Sequence, residues 1–165
     1  MGAADMAVSN PLLQEWTAPF GLPPFAALLP EHFEPALREG MREHRQELQS
    51  IATQAEPPSF DGTLAAFDRT GALLQRVASV FYNLTSSATS PALQAVQRTM
   101  AAPMAAHGSA VYMDQALFAR VDTLHARRAE LGLTPEALRL LERVHLDFVR
   151  SGARMVPAAR ARYAQ

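Results

Sequence analysis

The stretch "EHFEPALREGMREHRQELQSIATQA", residues 31–55, decides the fold. Leu37, Met41, His44, Leu48, Ile51 and Ala55 recur at steps of four and three. That spacing puts them on one face of an α-helix, whereas a strand would alternate its faces every second residue. Pro35 is tolerated only in a first turn, so the helix begins within a few residues of Glu31. The "EPPSF" run then breaks it.

Working outward from this helix, the same period returns downstream. A second helix is expected from Asp61 or Thr63, burying Leu64, Phe67, Leu74, Val77, Phe81 and Leu84, with Gly71 admitting a close neighbour. Ser90-Pro91 opens a third, with Leu93, Val96, Met100, Met104, His107 and Val111 on one face, and Pro103 is expected to kink it. Asp114 caps a fourth carrying Leu117, Val121, Leu124 and Leu131 and ending near Gly132. Thr134-Pro135-Glu136 starts a fifth that buries Leu138, Leu141, His145 or Val144, and Phe148, and stops at Gly152. Val156-Pro157 reads as the start of a sixth, Ala- and Arg-rich to Gln165 and lacking any stop signal. Upstream, residues 10–30 hold five prolines with Trp16, Phe20 and Phe25. This density of proline predicts an extended arm, and the cost of wetting its aromatics predicts that it lies across a helical surface. The fold class is therefore all-α: an antiparallel helical array or bundle of about five to six helices with an extended Pro-rich N-terminal arm. The domain reading is an arm over residues 1–30 and one helical domain over 31–165 whose last helix is left open.

Composition narrows the function classes. The formal net charge of -1 supplies no basic field for nucleic acid. Charge is nonetheless uneven, with ten acidic residues against four Arg in residues 1–75 and nine Arg against five acidic residues in 119–165, so the two ends are expected to attract. All fifteen basic residues are Arg, which reads as genome composition rather than phosphate recognition. No cysteine is present, which removes disulfides and thiolate metal sites. No basic, apolar leader opens the chain and no run approaches a membrane span, so a cytoplasmic location is the default expectation.

Local metal or nucleophile motifs are also missing. His32, His44, His107, His125 and His145 are too widely spaced for any two to share a helical turn, as an HExxH zinc helix requires. Glu142-x-x-His145 matches half of the di-iron carboxylate motif, but the nearest second copy, Asp122-x-x-His125, has a shorter acid. The plainer reading is a solvated Glu142 and a hydrogen-bonded core His145. No serine elbow or glycine-rich phosphate loop occurs.

The arm with its first helix, "NPLLQEWTAPFGLPPFAALLPEHFEPALREGMREH" (10–44), resembles the N-terminal signature of the thimet oligopeptidase family of zinc metallopeptidases, in particular the bacterial peptidyl-dipeptidase and oligopeptidase A type. "PPSFDGTLAAFDRTGALLQRVASVFYNLTSS" (57–87) and "LLERVHLDFVRSGARM" (140–155) are similar to later family segments in the same order. Gly62 departs from the family's usual Asn before Thr63, which weakens a helix-entry hydrogen bond. The resemblance implies a longer, largely helical parent enzyme that hydrolyses short peptides with a zinc ion. Two histidines of an HExxH helix and a downstream glutamate hold that zinc. None of these positions maps onto residues 1–165, so no catalytic, cofactor-binding or metal residue is assigned here.

Two functional expectations follow. In the first, the chain is the N-terminal part of such an enzyme, catalytically incomplete alone. It would form substrate-channel wall and a packing surface for a missing C-terminal catalytic lobe, and its uncovered apolar face would favour a homodimer. In the second, it is a free-standing helical interaction module with no enzymatic activity.

Overall fold

The computed structural model describes residues 10–155. It is all-α, with no strand among the described residues. The helices are α1 (Phe33–Ala52), α2 (Ala72–Ser87), α3 (Pro91–Met113), α4 (Gln115–Ala126) and α5 (Pro135–Arg150). The helix expected at Val156-Pro157 lies outside the described residues.

Capping residues set the helix starts. Ser90 Oγ accepts from the Leu93 amide at 3.2 Å, Asp114 Oδ1 from Leu117 at 2.9 Å and Thr134 Oγ1 from Ala137 at 3.3 Å. Each satisfies an amide that the first helical turn leaves without an intrahelical acceptor. α1 ends at Ala52, which leaves Ala55 exposed beyond it, and α4 ends at Ala126 rather than near Gly132, which leaves Leu131 in the turn that follows. The helix expected from residue 61 is two pieces. Phe60–Ala65 form a π-helical turn continued by a single α-turn, Ala66–Asp68, and the chain then breaks at Gly71, whose φ of 75° is left-handed. Ser59 Oγ accepts from the Gly62 amide at 3.0 Å, and a Cβ at residue 62 would stand 2.9 Å from that oxygen. Glycine thus fits a Ser59 cap that an Asn at 62 would crowd. α3 runs on through Pro103 without ending there.

The chain divides into two compact units. One comprises residues 10–44 and 71–104. Its core gathers Phe33, Ala36, Leu37 and Met41 of α1, Leu74, Val77, Val80 and Phe81 of α2, and Leu93 and Met100 of α3. Phe33 and Phe81 meet with ring centroids 5.2 Å apart. Gly40 lets α1 and α2 touch backbone to backbone, because a Cβ there would lie 2.8 Å from Leu74 Cα.

The beginning of the arm is fastened to this unit. Asn10, 2 % exposed, donates from Nδ2 to the His32 carbonyl at 2.8 Å and accepts from the Leu12 amide at 3.0 Å. Leu12 is wholly buried, its carbonyl accepts from Arg76 at 3.0 Å, and the same guanidinium lies 4.7 Å over the Trp16 ring. Beyond Trp16 the arm alternates extended residues with short 3-10 turns (Pro19–Gly21, Phe25–Ala27, Pro30–His32). Here the expectation of covered aromatics fails. Phe20 is fully exposed, and Leu22, Phe25 and Leu29 are each about half exposed (53%, 50% and 49%). The prolines fix the local direction of the arm but do not themselves supply a surface to cover these side chains.

The other unit comprises residues 45–70 and 105–155. Leu48 and Ile51 of α1, Leu64, Val111 of α3, Leu117, Val121 and Leu124 of α4, and Leu141, Val144 and Phe148 of α5 form its core. Phe148 sits at its centre, with Tyr112, Phe118 and Phe67 rings at 5.2, 5.8 and 5.9 Å. Arg120, only 9 % exposed, closes the connection after α1 by donating to the Gln54 carbonyl (3.0 Å), Gln54 Oε1 (3.1 Å) and the Glu56 carbonyl (3.1 Å).

Gly40→Ala is expected to lower stability by about 1–3 kcal/mol despite the better helix propensity of alanine, because backbone has to move; urea unfolding measures it. Arg120→Met strands three acceptors and is expected to cost about 2–3 kcal/mol by the same measurement, with α4 otherwise intact by circular dichroism.

Candidate functional site

The most concentrated chemistry among the described residues lies where α4 and α5 pack on each other. The connection 127–134 folds α5 back along α4, and Phe118 comes to face Phe148 and Asp122 to face His145. The two sequence half-motifs, Asp122-x-x-His125 and Glu142-x-x-His145, are thereby brought to one place.

His125 and His145 stack with ring centroids 3.7 Å apart and planes 3° from parallel. Phe118 stacks on His145 at 5.9 Å. His145 is buried and its Nε2 lies 2.9 Å from Asp122 Oδ1, while Arg154 donates to the same oxygen at 3.0 Å. Those two hydrogen bonds, His145 first, hold the Asp122 carboxyl below its ordinary 3.8 against an opposing effect of burial. An ionised carboxylate can only accept, so Nε2 of His145 carries a proton and donates it. The 3.4 Å approach of Arg154 to that nitrogen is then two donors converging on one oxygen.

His125 has a different environment. Burial lowers its pKa from the ordinary 6.5, and the charges of His145 and Arg128 lower it further, with Asp122 and Glu142 opposing. Arg128 donates to the His125 carbonyl at 2.8 Å and reaches Glu142 at 3.9 Å. Glu142 itself faces solvent, its side chain 52% exposed.

Sequence spacing singled out Asp122, His125, Glu142 and His145, but neither the stack nor Arg154 was foreseen. Spacing places each half-motif on its own helix, but which positions of two antiparallel helices meet depends on the path of the connection 127–134. For zinc the residues do not fit. Among the described residues no three or more His, Cys, Asp or Glu side chains come together so as to hold a metal ion. Here the acceptor oxygen of Asp122 is already shared by His145 and a guanidinium, and a cation stands where a metal would have to approach. Elsewhere in the same unit, a cavity of about 160 Å³ is bordered by Arg45, Leu48, His107 and Asp114, and the carboxylate of Asp114 is engaged in capping α4.

No family model matches the chain. Individual relatives do. It is 39% identical over 154 residues to dipeptidyl carboxypeptidase of Salmonella typhimurium, a match covering 93% of this chain and 23% of that protein. With dipeptidyl carboxypeptidase of Escherichia coli the identity is 38% over 157 residues, covering 95% of this chain and again 23% of the relative. Oligopeptidase A of Escherichia coli is 31% identical over 94 residues, 56% of this chain and 13% of the relative. The chain thus spans less than a quarter of the length of the first of these curated relatives.

Asp122→Asn leaves one amide oxygen that can accept but removes the negative charge that two donors share, on a side chain 44% exposed. A depressed acid stabilises the fold above its unfolded value of 3.8 and loses that contribution as pH falls through the folded value. The variant is expected to be less stable by a few tenths to about 1 kcal/mol at pH 7, and the difference from the parent should vanish at strongly acid pH. Denaturant titrations across that range check it.

Proposed function

We propose that this chain, a homologue of the dipeptidyl carboxypeptidases over nearly its whole length, is the N-terminal helical part of a zinc-dependent enzyme that hydrolyses short peptides. On this reading it contributes wall to the substrate channel and a packing surface for a catalytic lobe, and it hydrolyses nothing by itself. The observation that carries the reading is the identity of 38–39% sustained over more than nine-tenths of this chain, against relatives more than four times its matched length. The arm supports it: Phe20, Leu22, Phe25 and Leu29 expose apolar surface side by side in sequence, the kind of face that a further lobe covers. Phe20 also holds a left-handed φ of 62°, a conformation costly for a bulky residue in the absence of a contact that fixes it. The metal belongs, on this reading, to residues other than those described. A cytoplasmic setting is part of the same reading.

Purified as the 165-residue chain and supplied with zinc, the protein is expected to leave short unblocked peptides intact, as mass spectrometry of the digest would register. The protein encoded by the whole reading frame is expected to carry an HExxH helix and to cut the same peptides. Hydrolysis by the short chain would overturn its incompleteness, and a frame lacking that helix would overturn the enzyme reading in favour of the interaction module.

A further inference from the structure

The hairpin of α4 and α5 holds two imidazoles face to face, an arrangement that the peptidase reading does not use. Their separation of 3.7 Å is van der Waals contact, so a charge on one ring is felt by the other at the shortest distance two rings allow. One positive charge has a place here: Asp122 lies 2.9 Å from His145 Nε2. A second has none. The charged groups facing the pair are Asp122 on α4, Glu142 on α5, Arg128 just after α4 and Arg154 just after α5. Both acids are already engaged by arginines, Asp122 by Arg154 at 3.0 Å and Glu142 by Arg128 at 3.9 Å.

We propose that the stacked His125–His145 pair is a proton-sensitive latch between α4 and α5, closed while the two rings carry at most one charge and opened when both are protonated. The first proton is accommodated beside Asp122. Uptake of a second from solvent places two cations in contact, with Arg128 and Arg154 adding to the repulsion, and the rings separate. His145 keeps its bond to Asp122, so His125, on the more open side, is the ring that leaves. The lowered affinity of His125 for its proton has the sign this requires. A base whose folded value is depressed costs nothing above its unfolded value of 6.5, and it destabilises the fold progressively as pH falls below that value. Asp122, held below 3.8, stays ionised throughout that window, so the histidine effect is separable from it.

The test uses the full chain and His125→Phe, which keeps a flat ring on His145 and removes the second charge. Between pH 7 and pH 5 the unfolding equilibrium constant of the parent is expected to rise at least about threefold more than that of His125→Phe, the other three histidines cancelling in the comparison. Equal slopes would overturn the latch. A second reading needs no variant: in the parent, proton NMR should show the ring-to-ring Overhauser contact at pH 7.5 and its loss at pH 5, with two separated titration steps. Rings that stay in contact at pH 5, or that titrate independently near the ordinary imidazole value, would sink the proposal even if His125→Phe fails to fold.

Discussion

The structure depends on one amphipathic helix serving two cores. Over twenty residues, α1 gives Ala36, Leu37 and Met41 to one cluster and Leu48 and Ile51 to the other. Burying each of the larger side chains is worth about 1.5–3 kcal/mol, so the stripe contributes more than any hydrogen bond described above. Its spacing permits no slippage, since rotating α1 by one residue would carry Leu37 and Leu48 off the buried face together. The glycine at position 40 belongs to the same stripe, and what it contributes is absence: only without a Cβ can α2 come as near as Leu74 does.

Much of this was legible in the residues alone. Helix faces followed from period, and helix starts from Ser90, Asp114 and Thr134, because a cap acts within three residues and needs no knowledge of the rest of the fold. Tertiary demands were less visible. Gly71 does admit a close neighbour, the His44 ring, 3.1 Å from where a Cβ would stand, but it does so in a left-handed turn that separates two segments rather than within one long helix, and the backbone contact of α1 with α2 falls at Gly40. The arm was misread for a related reason. Its prolines fix local direction, but whether an aromatic is covered depends on what lies opposite, and local sequence is silent about that. Trp16 found Arg76, while Phe20 found nothing among the described residues.

The histidine pair shows the same limit from the other side. Each half-motif is unremarkable by itself, and the separation of 20 residues between His125 and His145 hides their contact. A hairpin register converts that separation into a face-to-face stack, and the loop between the helices, not either motif, carries the information. Spacing also invited a metal reading, because a Glu and a His one turn apart do point the same way. What speaks against it is charge and ligand count: the carboxylate already faces a guanidinium, and among the described residues no three or more such side chains come together so as to hold a metal ion.

Arg154 connects this cluster to the question of what the chain is part of. It follows α5 directly, anchoring on Asp122 beside a buried Ala153 whose carbonyl accepts from Gln115 at 3.2 Å. The turn after α5 is therefore held as far as Arg154 by two side chains of α4, Gln115 and Asp122. When His125 leaves the stack, His145 and Arg154 keep their common acceptor, because Asp122 serves both and stays ionised. The opening is thereby confined to one ring, and the contact of α4 with the turn after α5 survives it.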